Sequence, residues 1–149
     1  MNKFSFRLEP LYEYRKLIEE LKLKDFGSAM KMLGEQEAKL NRIKDEHKRS
    51  SSELDGMKEA GGAIDELRLY NAYIQSLKRH IDAQQEVIRK CAVELERRRG
   101  EFIEASKEKK LIKTIKDKSL SQYNMELGRM EQKITDDSNT SRLKRGDSR

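Results

Sequence analysis

The sequence has no tryptophan, one proline and one cysteine in 149 residues. The single cysteine, Cys91, cannot form an internal disulfide, so nothing in the chain indicates an oxidising compartment. No apolar run approaches the roughly 20 residues that cross a bilayer, and the N-terminus lacks the apolar region of a signal peptide. These absences predict a soluble cytoplasmic protein.

Apolar residues are scarce and charged residues are abundant. Only 35% of the chain is hydrophobic while 40% is Asp, Glu, Lys or Arg, which is too polar for an ordinary globular core. The 33 basic and 27 acidic residues are interspersed, as on a solvated helical surface. Even the run Arg97-Arg98-Arg99 lies beside Glu94, Glu96 and Glu101, which disfavours a nucleic-acid-binding stripe.

Residue patterns typical of catalysis or metal binding are also missing. No GxxxxGK[ST] loop is present to hold nucleotide phosphates. His47 and His80 are the only histidines, and neither has a second histidine or a cysteine at metal-ligand spacing. Cys91 has no nearby histidine in the sequence to activate it. The sequence therefore predicts a protein that is not an enzyme and has no metal or cofactor.

The second half of the chain carries a seven-residue repeat. One column of six apolar residues falls at strict heptad intervals, and a second column follows three residues later, which indicates a coiled coil. Gln84 and Arg98 are polar positions of the second column, and Lys109 continues the first. The first column is Leu67, Ile74, Ile81, Ile88, Leu95 and Phe102, and the second includes Tyr70, Leu77, Cys91 and Ala105.

The first half of the chain has a less regular apolar seam. Pro10 suits the first turn of a helix, so we expect this helix to start near Pro10. Gln36 and Ser50 interrupt the seam, and its frame shifts near Asp25. The predicted seam residues are Leu11, Tyr14, Ile18, Leu21, Phe26, Ala29, Leu33, Leu40, Ile43, His47, Leu54 and Met57.

A glycine pair separates the two halves, in the stretch KEAGGAID at residues 58–65. Gly61 and Gly62 can take the left-handed backbone angles that close one helix, and the acidic pair at 65–66 favours the start of the next. A short turn makes the two helices antiparallel neighbours. The sequence thus predicts an all-α fold, a two-helix antiparallel coiled-coil hairpin with a longer second helix. We expect a leader at 1–9, the hairpin at 10–137 with its turn near 59–63, and a disordered basic tail at 138–149.

The expected helices differ in length, at about 49 and about 75 residues, which leaves about 25 residues of the second helix without a mate. An exposed apolar stripe on such an end is typical of an interaction surface. Alternatively, the leader, with Phe4 and Phe6, folds back over part of it and the remainder frays. The stripe consists of Leu120, Tyr123, Leu127, Met130 and Ile134.

Three stretches, in order around the glycine turn, resemble the flagellar export protein FliJ family. The opening FSFRLEPLYEYRKLIEE is similar to the family's F-x-F-R-L-x-x-L pattern followed by Arg and paired Glu. The stretches YNAYIQSLKRHI and YNMELGRMEQKITDD resemble the family after the turn and at the C-terminus. The chain departs from the family at Pro10, which shortens the first helix, and at Asp137, where Glu is usual.

The resemblance implies a stalk component of the flagellar type III export apparatus, similar to the central shaft of rotary ATPases. It implies three partners: the hexameric export ATPase, the membrane export gate protein and export chaperones. It also implies a cytoplasmic protein held peripherally at the inner face of the cell membrane, at the flagellar base. The gate contact carried over from the family falls on Tyr73, Leu77, His80 and Gln84. We expect the stripe, together with Arg129 and Lys133, to contact the ATPase ring.

Two other functions stay open at this point. A nucleic-acid-binding coiled coil would show binding that falls steeply with salt. A purely structural coiled coil would form a homodimer, whereas the hairpin predicts a monomer.

Overall fold

A computed structural model describes residues 2–147 of the chain. This part contains two helices and no strand: α1 is Glu9–Glu59, with 51 residues, and α2 is Ile64–Gly146, with 83 residues. The predicted fold class is confirmed, since the chain is an all-α helical hairpin whose second helix is the longer one.

Helix α1 begins one residue before the expected Pro10. Its first intrahelical bond runs from the Tyr12 amide to the Leu8 carbonyl oxygen, at 2.9 Å. Pro10 occupies the second helical position, where an amide would have no carbonyl of the helix to bond. Glu9 adds negative charge at the positive end of the helix dipole.

The glycine pair closes α1 as predicted. Gly61 has a φ of 72°, in the left-handed region that costs other residues about 1–2 kcal/mol. The Gly62 amide donates to the Met57 carbonyl at 3.0 Å, and the Gly61 amide donates to the Lys58 carbonyl at 3.3 Å. These two bonds satisfy two of the last carbonyls of α1 and reverse the chain, so that α2 can start at Ile64.

The chain folds into two compact units. The turn unit is Glu20–Ile103, and the terminal unit is Met1–Glu19 with Glu104–Arg149. In each unit a segment of α1 packs on a segment of α2, and the partners' numbers rise on one helix as they fall on the other. In the turn unit, for example, Gln36 bonds to Gln84, and Asp25, which comes earlier in α1, bonds to Arg98, which comes later in α2. The helix segments of each unit are therefore antiparallel.

The heptad columns of α2 form the core of the turn unit. Ile74 of the first column is 5% exposed and Leu77 of the second column is 6% exposed. The other residues of the first column are half-buried. On α1, Ala29 and Leu54 are buried. The Phe26 and Phe102 rings lie nearly parallel, with centroids 6.2 Å apart. The strict repeat of the second helix thus predicted its packed face correctly.

The predicted seam is wrong for three residues of the first part of α1. In the terminal unit Leu11 is 36% exposed and Tyr14 is 54% exposed, while in the turn unit Leu21 is 50% exposed. In the terminal unit Tyr12, Arg15, Ile18 and Glu19 are half-buried instead. For Leu11 and Tyr14 the reason is the facing surface of α2, where Lys109 and Lys116 lie beside Ala105 and Ile112 and attract carboxylates into the contact.

The predicted disordered tail also differs from the structure, because α2 continues through Gly146. Extending a formed helix adds one hydrogen bond for each residue fixed, which is far easier than starting one. The hydroxyls of Thr140 and Ser141 donate to the carbonyls of Asp136 and Asp137, each at 2.9 Å, so these residues fit within the helix. The part of the prediction that concerns residues 148–149 lies outside the described residues.

Candidate functional site

The four residues of the predicted gate contact do not share one exposed face. Tyr73 is 45% exposed and His80 is exposed. Leu77 and Gln84 are each 6% exposed and lie in the seam of the turn unit. Only Tyr73 and His80 therefore present side chains that a partner could touch without unpacking the helices.

Tyr73 belongs to a polar cluster near the turn. Its hydroxyl donates to Glu46 Oε1 at 3.1 Å, and the hydroxyl of Tyr70 donates to Glu53. The two tyrosine rings pack edge to face, with centroids 6.3 Å apart. Glu46 also pairs with Arg49. The cluster fixes the direction of Tyr73 and leaves part of its ring in solvent.

The seven residues of the predicted ATPase contact lie on the last part of α2 and become more exposed towards its end. Tyr123 and Leu127 are half-buried, while Leu120 is 38% exposed. Met130 is 48% exposed and Ile134 is 68% exposed. Arg129 and Lys133 are exposed, as is every residue from Gly128 to Asp147. The apolar stripe thus has a covered half, with Tyr123 and Leu127, and a free half, which is Met130 and Ile134.

The leader covers the stripe at Tyr123. The Phe4 ring lies 5.5 Å from the Tyr123 ring, between centroids, at an interplanar angle of 53°. The Tyr123 hydroxyl donates to the Asn2 carbonyl oxygen at 2.9 Å. The leader therefore folds back over part of the stripe, as one of the two interpretations of the sequence expected, whereas the interaction surface stays a prediction.

Ion pairs join α1 to α2 within the terminal unit. Lys109 Nζ donates to Glu19 Oε1 at 2.8 Å, and the Ser106 hydroxyl donates to Glu19 Oε2 at 2.8 Å. Arg15 pairs with Glu108 at 2.6 Å. Lys116 pairs with Glu9 at 2.8 Å, with its ammonium 5.1 Å from the centroid of the Tyr12 ring. In the terminal unit, where few apolar residues are buried between the helices, ion pairs thus determine which residues of α1 and α2 face each other.

The ion pairs shift the pKa values of their members. The hydrogen bond from Lys109 lowers the pKa of Glu19, with a further contribution from Ser106. The hydrogen bond to Glu9 raises the pKa of Lys116. Both shifts favour the charged forms of Glu19 and Lys116.

The arginine run of the turn unit is paired with carboxylates of its own helix. Arg97 bonds to Glu94 and to Glu101, each at 2.5 Å, and Arg98 bonds to Glu94 at 2.8 Å. Arg99 pairs with Glu96 at 3.1 Å. The hydrogen bonds from Arg97 and then Arg98 lower the pKa of Glu94 to about 2. This local neutralisation leaves little excess positive charge for a phosphate backbone.

The sequence missed two features of the terminal unit. One is the Glu19, Ser106 and Lys109 cluster, for which the only signal was a lysine at a seam position of the first heptad column. The other is the particular contact that the leader makes: folding of the leader over the stripe was one of the two expectations, but no local signal pairs Phe4 with Tyr123, because the two residues are far apart in the chain.

Among residues 2–147, no group of histidine, cysteine, aspartate or glutamate side chains is arranged to hold a metal ion. No helix in that range is long and apolar enough to cross a membrane.

Comparison with solved structures finds CT670 from Chlamydia trachomatis, described as a proposed YscO homologue. It is 20% identical in sequence, the match covers 93% of this chain and 94% of that chain, and the TM-score is 0.46. No curated protein sequence matches this chain.

Comparison with protein families gives a clear assignment. The model of the flagellar FliJ protein family matches residues 4–148. The match begins at Phe4, in the leader, and runs past the end of α2 at Gly146. Since it spans nearly the whole sequence, this chain belongs to the FliJ family.

Proposed function

We propose that this protein is a coiled-coil stalk component of the flagellar type III protein export apparatus, which links the export ATPase ring to the membrane export gate. Family membership supports the apparatus. The observation that carries the proposal is the free half of the stripe, where Met130 and Ile134 are exposed on a helix end that has no packing partner among the described residues.

The end of α2 binds the ATPase ring in this proposal. Met130 and Ile134 are four residues apart, so they lie on one face of the helix and can pack together against an apolar wall. Arg129 and Lys133, one position earlier in each case, lie beside that face and meet acidic residues of the ring. The chain acts as a mechanical or positional link in this proposal, because it connects the two partners through its contacts and not through a catalytic group.

The gate contact lies on Tyr73 and His80, which are the exposed members of the predicted set. They are seven residues apart, or about two helical turns, and therefore share a face of α2. Leu77 and Gln84 support this face from within by holding α2 against α1. Binding to the gate would place the protein at the inner face of the membrane. Escort of export chaperones is also part of the proposal, with no residue assigned to it.

The ATPase contact is tested with point variants of the full chain. We expect the pair Met130→Asp and Ile134→Asp to weaken binding to the export ATPase, and its stimulation, by about tenfold or more, because charge is placed in an apolar contact. The matched control is Met125→Asp, a methionine of the same helix that is 56% exposed and lies about 140° from Met130 around it. Undiminished binding by the double variant would count against the proposal.

A truncation tests the same contact at larger scale. Ending the chain after Leu127 removes the free half of the stripe and keeps Lys116 and Tyr123, which pair with Glu9 and Phe4. Removing residues 115–149 would also break those contacts. We expect the shorter deletion to abolish stimulation of the ATPase while the remaining helices stay paired. Full stimulation by this truncated chain would contradict the proposal.

The gate contact requires variants that separate binding from folding. We expect His80→Ala and Tyr73→Ala each to weaken capture of the gate protein's cytoplasmic part. The unfolding free energy of the His80→Ala variant should stay within about 0.5 kcal/mol of the wild-type value. Leu77→Ala should instead cost about 2–5 kcal/mol of stability, because it removes a buried side chain. If both exposed variants bind as the wild type does, the gate lies elsewhere on the chain.

Two measurements separate this function from the alternatives. Light scattering should give the mass of one chain for the isolated hairpin and of two chains for a structural homodimer. A gel shift at low and moderate salt should show no salt-sensitive complex with nucleic acid.

A further inference from the structure

The leader is held on α2 by contacts with a single aromatic residue of the stripe. Phe4 packs against the ring of Tyr123, and the hydroxyl of the same tyrosine donates to the Asn2 carbonyl. Ser119, Gln122 and Glu126 line the groove on α2 that receives the leader. The leader therefore lies along the side of the helix that carries the covered half of the stripe.

The leader has little structure of its own to hold it there. Residues 2–6 form no helix or strand, and the first bond that ties the segment to α1 runs from the Glu9 amide to the Phe6 carbonyl, at 3.1 Å. Phe4 and Phe6 are only half-buried. Ordering five irregular residues has an entropic cost that offsets much of what one aromatic contact and one hydrogen bond contribute. Such a segment can leave its seat without unfolding the helices.

The leader occupies part of the surface that a partner would use. Tyr123 continues the stripe towards Met130 and Ile134, and a partner that packs along the whole stripe must take the place of Phe4. We propose that the leader is a displaceable strap, which covers the stripe at Tyr123 in the free protein and is released when the export ATPase binds there. This inference rests on the proposed function for its partner, and on the contacts of Phe4 and Asn2 for the strap.

The first test uses the isolated protein. In a Cys91→Ser background, Ser119→Cys places a thiol in the groove under the leader, where Ser119 is half-buried. We expect Phe4→Ala to raise the rate at which this thiol reacts with a maleimide by about 2- to 12-fold, the range that one aromatic pair corresponds to. Lys3→Ala, at an exposed leader position, is the matched control and should leave the rate unchanged. Equal rates with and without the Phe4 ring would overturn the strap.

The second test adds the ATPase. Phe4→Ala should bind it about 2- to 12-fold more tightly than the wild type, because no strap has to be displaced. A Phe4→Cys and Tyr123→Cys pair in the Cys91→Ser background, joined by a reducible bifunctional thiol reagent, should bind more weakly when crosslinked and recover on reduction. Weaker binding by Phe4→Ala, or equal binding by the crosslinked and reduced forms, would overturn the strap as a competitor.

The two tests distinguish the strap from the function on which it rests. If neither the wild type nor the variants bind the ATPase, the proposed function fails, and the thiol rates alone decide whether the leader covers the stripe. If binding occurs but is indifferent to Phe4, the function stands and the strap fails.

Discussion

The side-chain amide of Gln84, which is 6% exposed, donates from Nε2 to the backbone oxygen of Gln36 at 3.0 Å and to its Oε1 at 2.8 Å. A buried polar side chain in a coiled-coil seam is satisfied in one alignment of the helices and left unpaired in others. The Gln84 and Gln36 pair therefore fixes the register of the turn unit, at some cost in stability relative to an apolar pair.

Substitutions at Gln84 should change stability in opposite directions. Gln84→Leu should raise the unfolding free energy by about 1 kcal/mol, since burying the leucine contributes about 1.5–3 kcal/mol and the lost hydrogen bonds about 0.5–1.5 kcal/mol. Gln84→Ala should lower it by about 1–3 kcal/mol, because it loses the same hydrogen bonds and leaves a cavity in place of the side chain. Urea unfolding followed by circular dichroism measures both. A leucine variant less stable than the alanine variant would contradict this account of the pair.

Replacing a glycine by alanine should lower the unfolding free energy at the turn and raise it within a helix. Gly61→Ala should lower the unfolding free energy by about 1–2 kcal/mol, because it puts a Cβ on a residue with a φ of 72°. Gly34→Ala, within α1 and with no atom within 4 Å of the added Cβ, should raise it by about 0.5–1 kcal/mol. Thermal unfolding of the two variants provides the comparison. Equal effects would show that the turn does not require a left-handed residue.

The Glu19 cluster should make stability depend on pH. The hydrogen bond from Lys109 lowers the pKa of Glu19 in the folded protein from 4.5, so its stabilisation is present above pH 4.5 and is lost as the pH falls through the folded pKa. Glu19→Gln should lower the unfolding free energy by about 1 kcal/mol near neutral pH and have little effect in acid. Urea unfolding at both pH values tests this.

The control for Glu19 is Glu96→Gln, whose side chain is 71% exposed although it pairs with Arg99. This substitution should change the unfolding free energy by no more than about 0.5 kcal/mol at either pH. A loss at Glu19 that is the same at both pH values would mean that the substitution perturbs packing rather than an ion pair.

Amide hydrogen exchange should follow a gradient along α2. Residues 128–146 are helical and every one of them is exposed, so their hydrogen bonds open with little loss of packed contact. Amides around Ile74 and Leu77, which are buried, should exchange more slowly than any in that segment. Mass spectrometry of deuterium uptake in the full-length chain measures the gradient. Equal protection in the two regions would require a packing partner for the end of α2, such as a second chain.

The sequence by itself determined the helices, the turn and the packed face of α2. Each depends on residues that are close in the chain: six apolar residues at a spacing of seven from Leu67 to Phe102, and a glycine at the position of φ 72°. Helix formation, chain reversal and amphipathic periodicity are local properties, so a pattern read over a few turns was sufficient for them.

Only the tertiary structure decided which face of α1 is packed near its start and what covers the stripe. Leu11 and Tyr14 continue a plausible apolar seam, yet they are exposed because Lys109 and Lys116 of α2 draw Glu19 and Glu9 into the contact. The seat of Phe4 on Tyr123 likewise joins residues at opposite ends of the chain. These choices are set by the register of one helix against another, which no spacing within a single helix contains.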